Sequence, residues 1–327
     1  MATADHVKAL VRSHAEGDED RFYSVAMQVA AREAKAGHSQ VAQEIRDLVD
    51  QAKAAAKHPG RKLCPVPVTQ PRGDLAGLLS VSYPDQRLGD LVVEKEIRDS
   101  LERVLTEQRQ QDRLLEHGFE PVRSLLFIGP PGTGKTLSAS VVAGELHLPL
   151  FLIRLESLIT KFMGETSAKL RLIFDAAEET RGVYLFDEVD ALAGDRSSPN
   201  DVGEIRRVLN SFLQFLEQHR STSMLVATTN HPQLLDPAIF RRFGLVVRYT
   251  MPTSEQVRAI IRNRLAAFNT RGLAWKRIEQ AADGLSHSEV TVATEQAAKG
   301  AILSKAGSVT TEALVVALAD RRQSSIH

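Results

Sequence analysis

The sequence predicts an α/β protein, in which a parallel sheet with crossover helices is followed by a helical lid domain and preceded by a small all-α bundle. Between residues 85 and 251, short apolar runs rich in β-branched residues alternate with helix-like stretches, which is typical of strand–helix–strand units. Beyond Pro252 the strand-like runs cease, and every later segment has helical periodicity. Residues 85–251 are therefore expected to form the α/β domain, and residues 252–327 the lid.

Length and composition limit the class of protein. A chain of 327 residues is long enough for two or three structural units, and 43% apolar with 25% charged residues is typical of a soluble globular protein. The 41 basic and 41 acidic residues leave no net field to attract nucleic acid or anionic lipid. We therefore expect neither as a general partner.

Cysteine usage and the N-terminus indicate the compartment. The single cysteine, Cys64, has no partner for a disulfide within the chain, and the ten histidines show no Cys/His spacing typical of structural zinc. The N-terminus lacks the apolar stretch of a signal peptide, and no later apolar run approaches the length of a membrane span. A cytoplasmic protein without a membrane segment is the expectation.

Two segments precede the α/β domain. Residues 1–58 carry apolar stripes at helical spacing and predict a small helical bundle. Such a bundle either presents an apolar face to a client or partner, or docks on the body of its own assembly. Residues 59–84 are rich in proline and glycine, which disfavour helix and remove backbone donors, so they predict a linker.

The strands and helices are assigned from apolar runs and their punctuation. Five strands are predicted at residues 125–128, 150–153, 183–186, 225–228 and 245–249. The lid is predicted to contain helices at residues 255–268, 276–282, 288–304 and 311–321, separated by glycines.

A glycine-rich segment between the first of these strands and the next helix predicts a phosphate-binding loop. It reads G-P-P-G-T-G-K-T and matches G-x-x-x-x-G-K-[ST] in full. Glycines let backbone N–H groups curl around phosphate oxygens at a helix N-terminus, Lys135 reaches the β- and γ-phosphates, and the Thr136 hydroxyl ligates Mg²⁺. The predicted nucleotide-binding residues are Gly129, Pro130, Pro131, Gly132, Thr133, Gly134, Lys135, Thr136 and Leu137.

Two adjacent acids end the third predicted strand. Burial explains the apolar run 183–186, but it does not explain Asp187 and Glu188 at the carboxyl end, where ligands of open α/β sheets bind. Asp187 is predicted to hold Mg²⁺ through water, and Glu188 to polarise the water that attacks the γ-phosphate. Together with the loop, these acids predict a P-loop NTPase that uses ATP and Mg²⁺.

With these motifs in place, residues 88–289 resemble the AAA family of AAA+ ATPases. Asn230 ends a strand as the family's sensor-1 residue does, which implies that it helps to orient the attacking water. The segment from Leu235 to Phe243 is similar to the family's second region of homology. This similarity implies that Arg241 and Arg242 are arginine fingers, which act in the nucleotide site of a neighbouring subunit. The chain reads Arg-Phe-Gly-Leu at residues 242–245, where Gly-Arg-Phe-Asp is frequent in the family, so which arginine is the main finger stays open.

Two further segments carry the resemblance. Phe162, Met163 and Gly164 are similar to the aromatic-hydrophobic-glycine pore loop of ring translocases, which implies that Phe162 grips an extended polypeptide in a central channel. Residues 191–203 are either a second pore loop or a plain mobile loop. In the lid, residues 284–289 resemble the family's Gly-Phe-Ser-Gly-Ala-Asp segment, with His287 in the place of a glycine. A capping role for Ser286 or Ser288 is expected there.

The leading hypothesis is a homohexameric ATPase that unfolds or remodels a protein client by threading it through the pore. Because the chain lacks HExxH and GxSxG, any protease must be a separate partner protein. A loader or helicase acting on nucleic acid is the first alternative, and an ATP-dependent switch or scaffold is the second. The Phe-Met-Gly segment and zero net charge argue against the first, and the catalytic residues Asp187, Glu188 and Asn230 against the second.

Overall fold

Parallel strand pairing dominates the part of the chain that this computed structural model describes, which is residue 29 and residues 73–158, 163–193, 199–304 and 308–324. The described residues from 73 onward belong to one compact unit that spans residues 69–327. The predicted bundle, residues 1–58, lies outside the described residues except for Val29.

Six strands form one sheet in the order β1-β3-β4-β5-β2-β6. Four of the five neighbouring pairs are parallel, whereas β1 pairs antiparallel with β3. The fold is therefore the predicted α/β class, with an antiparallel strand added at one edge. The strands are β1 (Leu79–Ser82), β2 (Ser124–Ile128), β3 (Leu150–Ile153), β4 (Val183–Phe186), β5 (Met224–Thr229) and β6 (Leu245–Arg248).

The edge strand differs from the sequence-based expectation, because it lies in the segment that was predicted to be a linker. A short helix, α1 (Leu75–Leu78), leads directly into β1. Leu78 and Leu79 are each only 4% exposed and join the hydrophobic core, and Leu79 pairs with Ile153. The apolar residues that follow Gly73 thus bury enough surface to override the proline- and glycine-rich context.

Helices cover both faces of the sheet. Alternate residues of β2 point to opposite sides, so that Leu126 and Ile128 pack in one core and Leu125 and Phe127 in the other. This arrangement makes the sheet the middle layer of three. The helices are α2 (Lys95–Arg109), α3 (Gln111–Glu116), α4 (Lys135–Leu146), α5 (Leu155–Leu158), α6 (Met163–Glu179), α7 (Pro199–Gln218) and α8 (Pro237–Phe240).

The C-terminal part is helical and has its own core. Ile261, Ile278, Val290 and Leu314 are fully buried and pack together, one from each of four helices. Within the ranges described above, none of the helices is both long and apolar enough to cross a membrane. The four helices are α9 (Ser254–Arg264), α10 (Trp275–Ala282), α11 (His287–Leu303) and α12 (Thr311–Ser324).

Candidate active site

The glycine-rich loop joins the carboxyl end of β2 to the start of α4. Gly129, Gly132 and Gly134 all have positive φ angles, of 151°, 72° and 99°. Residues with a Cβ rarely adopt this backbone, so glycine is required where the chain curls from strand into helix. Gly134 precedes the first residue of α4, Lys135, and the N-terminal N–H groups of that helix therefore open toward the loop.

Lys135 is held by three acceptors of its own subunit. Its Nζ donates to the carbonyl oxygen of Gly129 at 2.8 Å, to that of Pro130 at 2.7 Å and to Oδ1 of Asn230 at 2.8 Å. These three bonds use all the donors of an ammonium group. Burial lowers the pKa of Lys135, whereas Asp187, Asp190 and Glu188 oppose this shift because they stabilise the charged form.

The two predicted acids follow β4 at the same edge of the sheet. The Thr136 hydroxyl lies 3.1 and 3.2 Å from the two carboxylate oxygens of Asp187, so the two predicted Mg²⁺ ligands are in contact. Glu188 has a φ of +56°, which is uncommon for a residue other than glycine and costs free energy. The backbone thus turns sharply at Glu188, and the side chains of these neighbouring acids point in different directions.

Thr228, which no sequence motif indicated as a site residue, connects the two acids. Its hydroxyl donates to Oδ1 of Asp187 at 2.6 Å and accepts the backbone N–H of Glu188 at 2.9 Å. Thr228 is 1% exposed, near the end of β5, which lies between β4 and β2 in the sheet. A threonine in a strand is an ordinary β-forming residue, so only the strand order identifies it as part of the site.

Asn230 links the loop to the second acid. While its Oδ1 accepts the bond from Lys135, its Nδ2 donates to Oε1 of Glu188 at 2.9 Å. The structure therefore brings Lys135, Asn230 and Glu188 into one hydrogen-bonded chain. These three residues come from three separate segments of the sequence.

A cavity of about 410 Å³ opens over this cluster. It is lined on one side by residues of the loop and the strand ends, including Lys135, Asp187 and Glu188, and on the other by the start of α11 in the lid. Gly129 and Pro130 take part through the carbonyl groups that hold Lys135. Thr133 is buried, and its hydroxyl donates to the carbonyl oxygen of Pro130 at 2.8 Å.

The lid rests directly on the loop. The backbone N–H of Ser288 donates to the carbonyl oxygen of Gly132 at 2.9 Å, and a Cβ added to Gly132 would lie 2.5 Å from Oγ of Ser286. Ser286 caps α11 in a reciprocal pair with Glu289, which confirms the expected capping role for Ser286. The close approach leaves no room for a side chain at Gly132.

His287, the first residue of α11, lines the same cavity. Both ring nitrogens are shielded from solvent, and neither has a hydrogen-bond partner among the described residues. Burial lowers the pKa of His287, while the charge of Glu94 opposes the shift. The capping bonds of Ser286 therefore explain where α11 begins, but they do not explain why a histidine occupies position 287.

The predicted arginine fingers do not line this cavity. They follow α8, whose N-terminus is capped by Asp236. Arg242 forms an ion pair with Glu217 at 2.9 Å. Arg241 is exposed, and its side chain has no ion-pair partner in the part of the chain that the structure describes. Neither arginine is brought to the cluster of Lys135, Asp187 and Glu188 within the chain.

The predicted pore loop is only partly covered by the structure. Phe162 lies outside the described residues, and Met163 and Gly164 are the first two residues of α6. Residues 194–198 of the second candidate loop also lie outside them. The roles of both segments stay predictions.

The residues at the cavity fit a triphosphate and Mg²⁺. A side chain at Gly129 would collide with Tyr249, and one at Gly132 with Ser286. Glycine at both positions therefore allows the loop to keep the shape in which its backbone N–H groups can reach phosphate oxygens. Mg²⁺ in phosphoryl-transfer sites is held by one or two protein oxygens together with substrate phosphates; here the Thr136 hydroxyl would be a direct ligand, and the adjacent Asp187 would hold the ion through water.

Comparisons with known proteins agree with this geometry. A family model described as "ATPase family associated with various cellular activities (AAA)" matches residues 125–251. An uncharacterized AAA family ATPase of Sinorhizobium fredii is 31% identical over 310 residues, which cover 93% of this chain and 91% of that protein. The proteasome-activating nucleotidase of Methanothermobacter thermautotrophicus is 33% identical over 201 residues, which cover 59% of this chain but only 47% of that protein.

A solved structure is similar in fold. The crystal structure of the FIGL-1 AAA domain superposes with a TM-score of 0.58 and 25% sequence identity, and the match covers 74% of this chain and 85% of that one. Because the match covers 74% of this chain, it includes more than the nucleotide loop.

Proposed function

The chain belongs to the AAA family of ATPases, and from this premise we propose that it works as a homohexameric ring that hydrolyses ATP in order to unfold or remodel a protein. The observation that carries the proposal is the hydrogen-bonded chain Lys135–Asn230–Glu188. It connects the amine that binds the transferred phosphate to the carboxylate that polarises water. A site that only binds nucleotide does not require that connection.

We propose a role for each residue of the site, supported by the bonds that it makes. When bound, ATP with Mg²⁺ supplies the phosphoryl group that is transferred and the cation that neutralises its charge. Lys135 would exchange its carbonyl partners for phosphate oxygens, Thr136 would ligate the cation, and Asp187 would hold it through water. Asn230 then turns its amide toward the phosphate side. Glu188 is thereby released to orient the attacking water.

Assembly as a ring is supported by the position of the arginines. Phosphoryl transfer is accelerated by a guanidinium that stabilises charge in the transition state, and such an arginine is often supplied by another protein chain. Arg241 is exposed, unpaired among the described residues and absent from the cavity of its own subunit. An arginine of this kind suits the nucleotide site of a neighbouring subunit.

A protein is the proposed substrate of the motor. The support is the Phe162-Met163-Gly164 segment, together with a relative whose name describes activation of a proteasome. The zero formal net charge gives no general attraction to nucleic acid. A separate protease partner stays a prediction of the sequence analysis.

The catalytic part of the proposal is tested with Glu188→Gln. We expect ATP affinity to stay near the parental value, and turnover to fall by about 10² to 10⁴, because a neutral amide cannot accept a proton from water. Size-exclusion chromatography with ATP should show a ring-sized species. Glu116→Gln, a change of an exposed glutamate on α3, is the matched control. Parental turnover by Glu188→Gln would show that another residue activates the water.

The choice of substrate is tested by stimulation of the ATPase. Turnover is measured with added casein, an unstructured protein, and separately with added single-stranded DNA. We expect casein to stimulate turnover, and Phe162→Ala to remove that stimulation while leaving basal turnover intact. Phe119→Ala replaces an exposed phenylalanine of the α/β domain and serves as the control. Stimulation by DNA alone would favour the nucleic-acid alternative.

A further inference from the structure

A run of basic residues crosses the first part of the lid. Residues 257–278 contain six basic residues and no acidic one, although the whole chain has 41 of each. The run includes most of α9, the loop that follows it and the start of α10. Because like charges repel, a segment of one sign is destabilising unless acids from elsewhere neutralise it.

Three of the six basic residues are neutralised by acids from other parts of the lid. The ion pairs are Arg258–Glu279, Arg264–Glu295 and Arg277–Glu312. The other three, Arg262, Arg271 and Lys276, are exposed and have no ion-pair partner in the part of the chain that the structure describes. These three residues, called the lid cations below, therefore carry charge that the described chain leaves uncompensated.

Helix stability does not explain where the lid cations lie. A cation in the last turn of a helix is stabilised by the negative end of the helix dipole, which accounts for Arg262 in α9. Lys276 lies instead in the first turn of α10, which contains no acid, and the positive end of the dipole opposes its charge. Arg271 lies in the loop between the two helices. The chain thus gains no stability from two of the three charges.

Trp275 holds one lid cation in place. The guanidinium of Arg262 lies over the indole, 5.1 Å from the ring centroid, and that of Arg258 lies 6.0 Å from it. Trp275 is half-buried and packs against the lid core. Since the ring already restricts the guanidinium of Arg262, that group loses less freedom when it binds an anion. The contact also sets the end of α9 beside the start of α10, so the lid cations lie around one junction.

The chemistry of this junction favours carboxylates over nucleic acid. Proteins that bind single strands stack bases on free aromatic rings, whereas the indole of Trp275 is already engaged by two guanidinium groups and the lid core. Affinity for nucleic acid also grows with the number of phosphates neutralised, and three cations provide few such contacts. An arginine pairs with a carboxylate through two parallel hydrogen bonds, so a short acidic peptide can engage Arg262 and Arg271 fully.

We propose that the lid cations form a docking site for an acidic segment of a partner protein. The carboxylates of that segment pair with Arg262, Arg271 and Lys276 and neutralise their charge. None of the three residues lines the cavity at Lys135, so docking uses a surface separate from the candidate active site. The inference goes beyond the proposed function, since it requires neither ATP nor the Phe162 segment.

The first experiment uses the parental chain. Trp275 is the only tryptophan of the sequence, so tryptophan fluorescence reports on the junction. A glutamate-rich peptide is titrated into the full chain at low salt, with a glutamine-rich peptide of equal length as the control. We expect a saturable change in fluorescence with the glutamate-rich peptide alone, because pairing moves the guanidinium of Arg262 relative to the indole. Added salt should weaken the binding, since exposed charges are screened.

A matched pair of triple variants tests the location. The first removes the lid cations and consists of Arg262→Gln, Arg271→Gln and Lys276→Gln. The second removes the same charge from exposed arginines of the α/β domain and consists of Arg113→Gln, Arg181→Gln and Arg220→Gln. Fluorescence anisotropy of a labelled glutamate-rich peptide measures the affinity. We expect binding at least about tenfold weaker in the first variant and parental affinity in the second.

Four results would overturn the proposal. The parental chain could fail to bind the glutamate-rich peptide at low salt, or bind it without any change in the fluorescence of Trp275. An equal loss in both triple variants would show that overall charge attracts the peptide. Tighter binding of single-stranded DNA than of the peptide, lost in the first variant, would identify a nucleic-acid surface instead. ATP turnover enters none of these measurements, so failure of this proposal is distinct from failure of the proposed function.

Discussion

Two regions differ in how fully their side chains are paired within one chain. The first is the cluster of polar residues at the glycine-rich loop and the strand ends, and the second is the segment that carries Arg241 and Arg242. In the cluster, Lys135, Asn230 and Glu188 are joined by bonds of 2.8 and 2.9 Å, and Thr228 ties Asp187 to the backbone of Glu188. In the arginine segment, one half-buried guanidinium pairs with Glu217, while the other is exposed.

This difference indicates which steps a single chain could carry out and which require a second chain. The cluster holds the residues that we propose to bind phosphate and activate water, and each is oriented by a neighbour in the same chain. The arginine segment offers a charge that has no partner among the described residues. We infer that binding is a property of the subunit, whereas fast turnover is a property of the assembly.

The largest expected effect comes from Arg241→Ala. Because the guanidinium stabilises charge only in the transition state, turnover should fall by about 10³ while ATP affinity stays unchanged. Initial-rate assays and calorimetry measure the two quantities separately. Mixing Arg241→Ala with Lys135→Ala subunits should restore some activity, since a mixed interface joins an intact loop to an intact arginine. Absence of any restoration would argue against action between subunits.

Arg242 and Glu217 provide the matched comparison. Arg242→Ala should reduce turnover less than Arg241→Ala, because Arg242 is engaged by Glu217 in its own subunit. If Arg242→Ala has the larger effect, the ion pair must break during assembly, and Glu217→Ala should then leave turnover intact.

Lys135→Ala tests whether the cluster binds by itself. It removes a charge-assisted contact to phosphate, and ATP affinity should fall by at least about 100-fold. Calorimetry below the concentration of assembly measures this for the isolated subunit. Lys276→Ala removes an exposed lysine from α10 and is the control. A loss that occurs only in the assembled ring would show that binding, too, depends on the neighbour.

Thr228→Val removes one hydroxyl from between the acids and keeps the shape of the side chain. Turnover should fall about tenfold, with a smaller change in KM, because Asp187 and Glu188 lose the group that sets their directions. Thr228→Ser should restore most of the rate. Thr294→Val removes a buried hydroxyl in the lid, away from the acids, and controls for general destabilisation. An equal loss in Thr228→Ser would indicate a packing role instead.

Gly132→Ala has the smallest expected effect and tests the contact between loop and lid. Both Gly132 and Gly272 have positive φ, but only at Gly132 would the added Cβ meet another segment. Urea unfolding should therefore show Gly132→Ala to be less stable than Gly272→Ala by about 1 kcal/mol. Equal stabilities would mean that the lid moves away from the loop without cost.

The sequence predicted the parts of the site that are encoded locally. The loop around Lys135 and the acids after β4 are continuous segments in which residue type, spacing and neighbouring strand all indicate one chemistry. Asn230 was identified through a family resemblance. The pairing of Asn230 with both Lys135 and Glu188 depends on the order of three strands, which no local pattern contains.

Other features were missed for identifiable reasons. Thr228 is an ordinary residue for a strand, and its two bonds exist only because β5 lies beside β4. The strand β1 lies among prolines and glycines, and it forms because the edge of β3 accepts it. His287 lies in a segment that resembles one of the family, but its place at the cavity results from packing of the lid on the loop.

The bonds that Lys135 makes to the carbonyl groups of Gly129 and Pro130 have a consequence for nucleotide exchange. An arriving phosphate would replace these carbonyl oxygens as the hydrogen-bond acceptor of Lys135. When the phosphate leaves, the carbonyl oxygens would accept those bonds again. The ammonium group therefore never has to remain without a hydrogen-bond partner. In each swap the ammonium group keeps a set of hydrogen bonds, and the charge-assisted bonds to phosphate are the stronger set. Spent ADP can thus be replaced by fresh ATP without the loop having to melt and refold on every cycle.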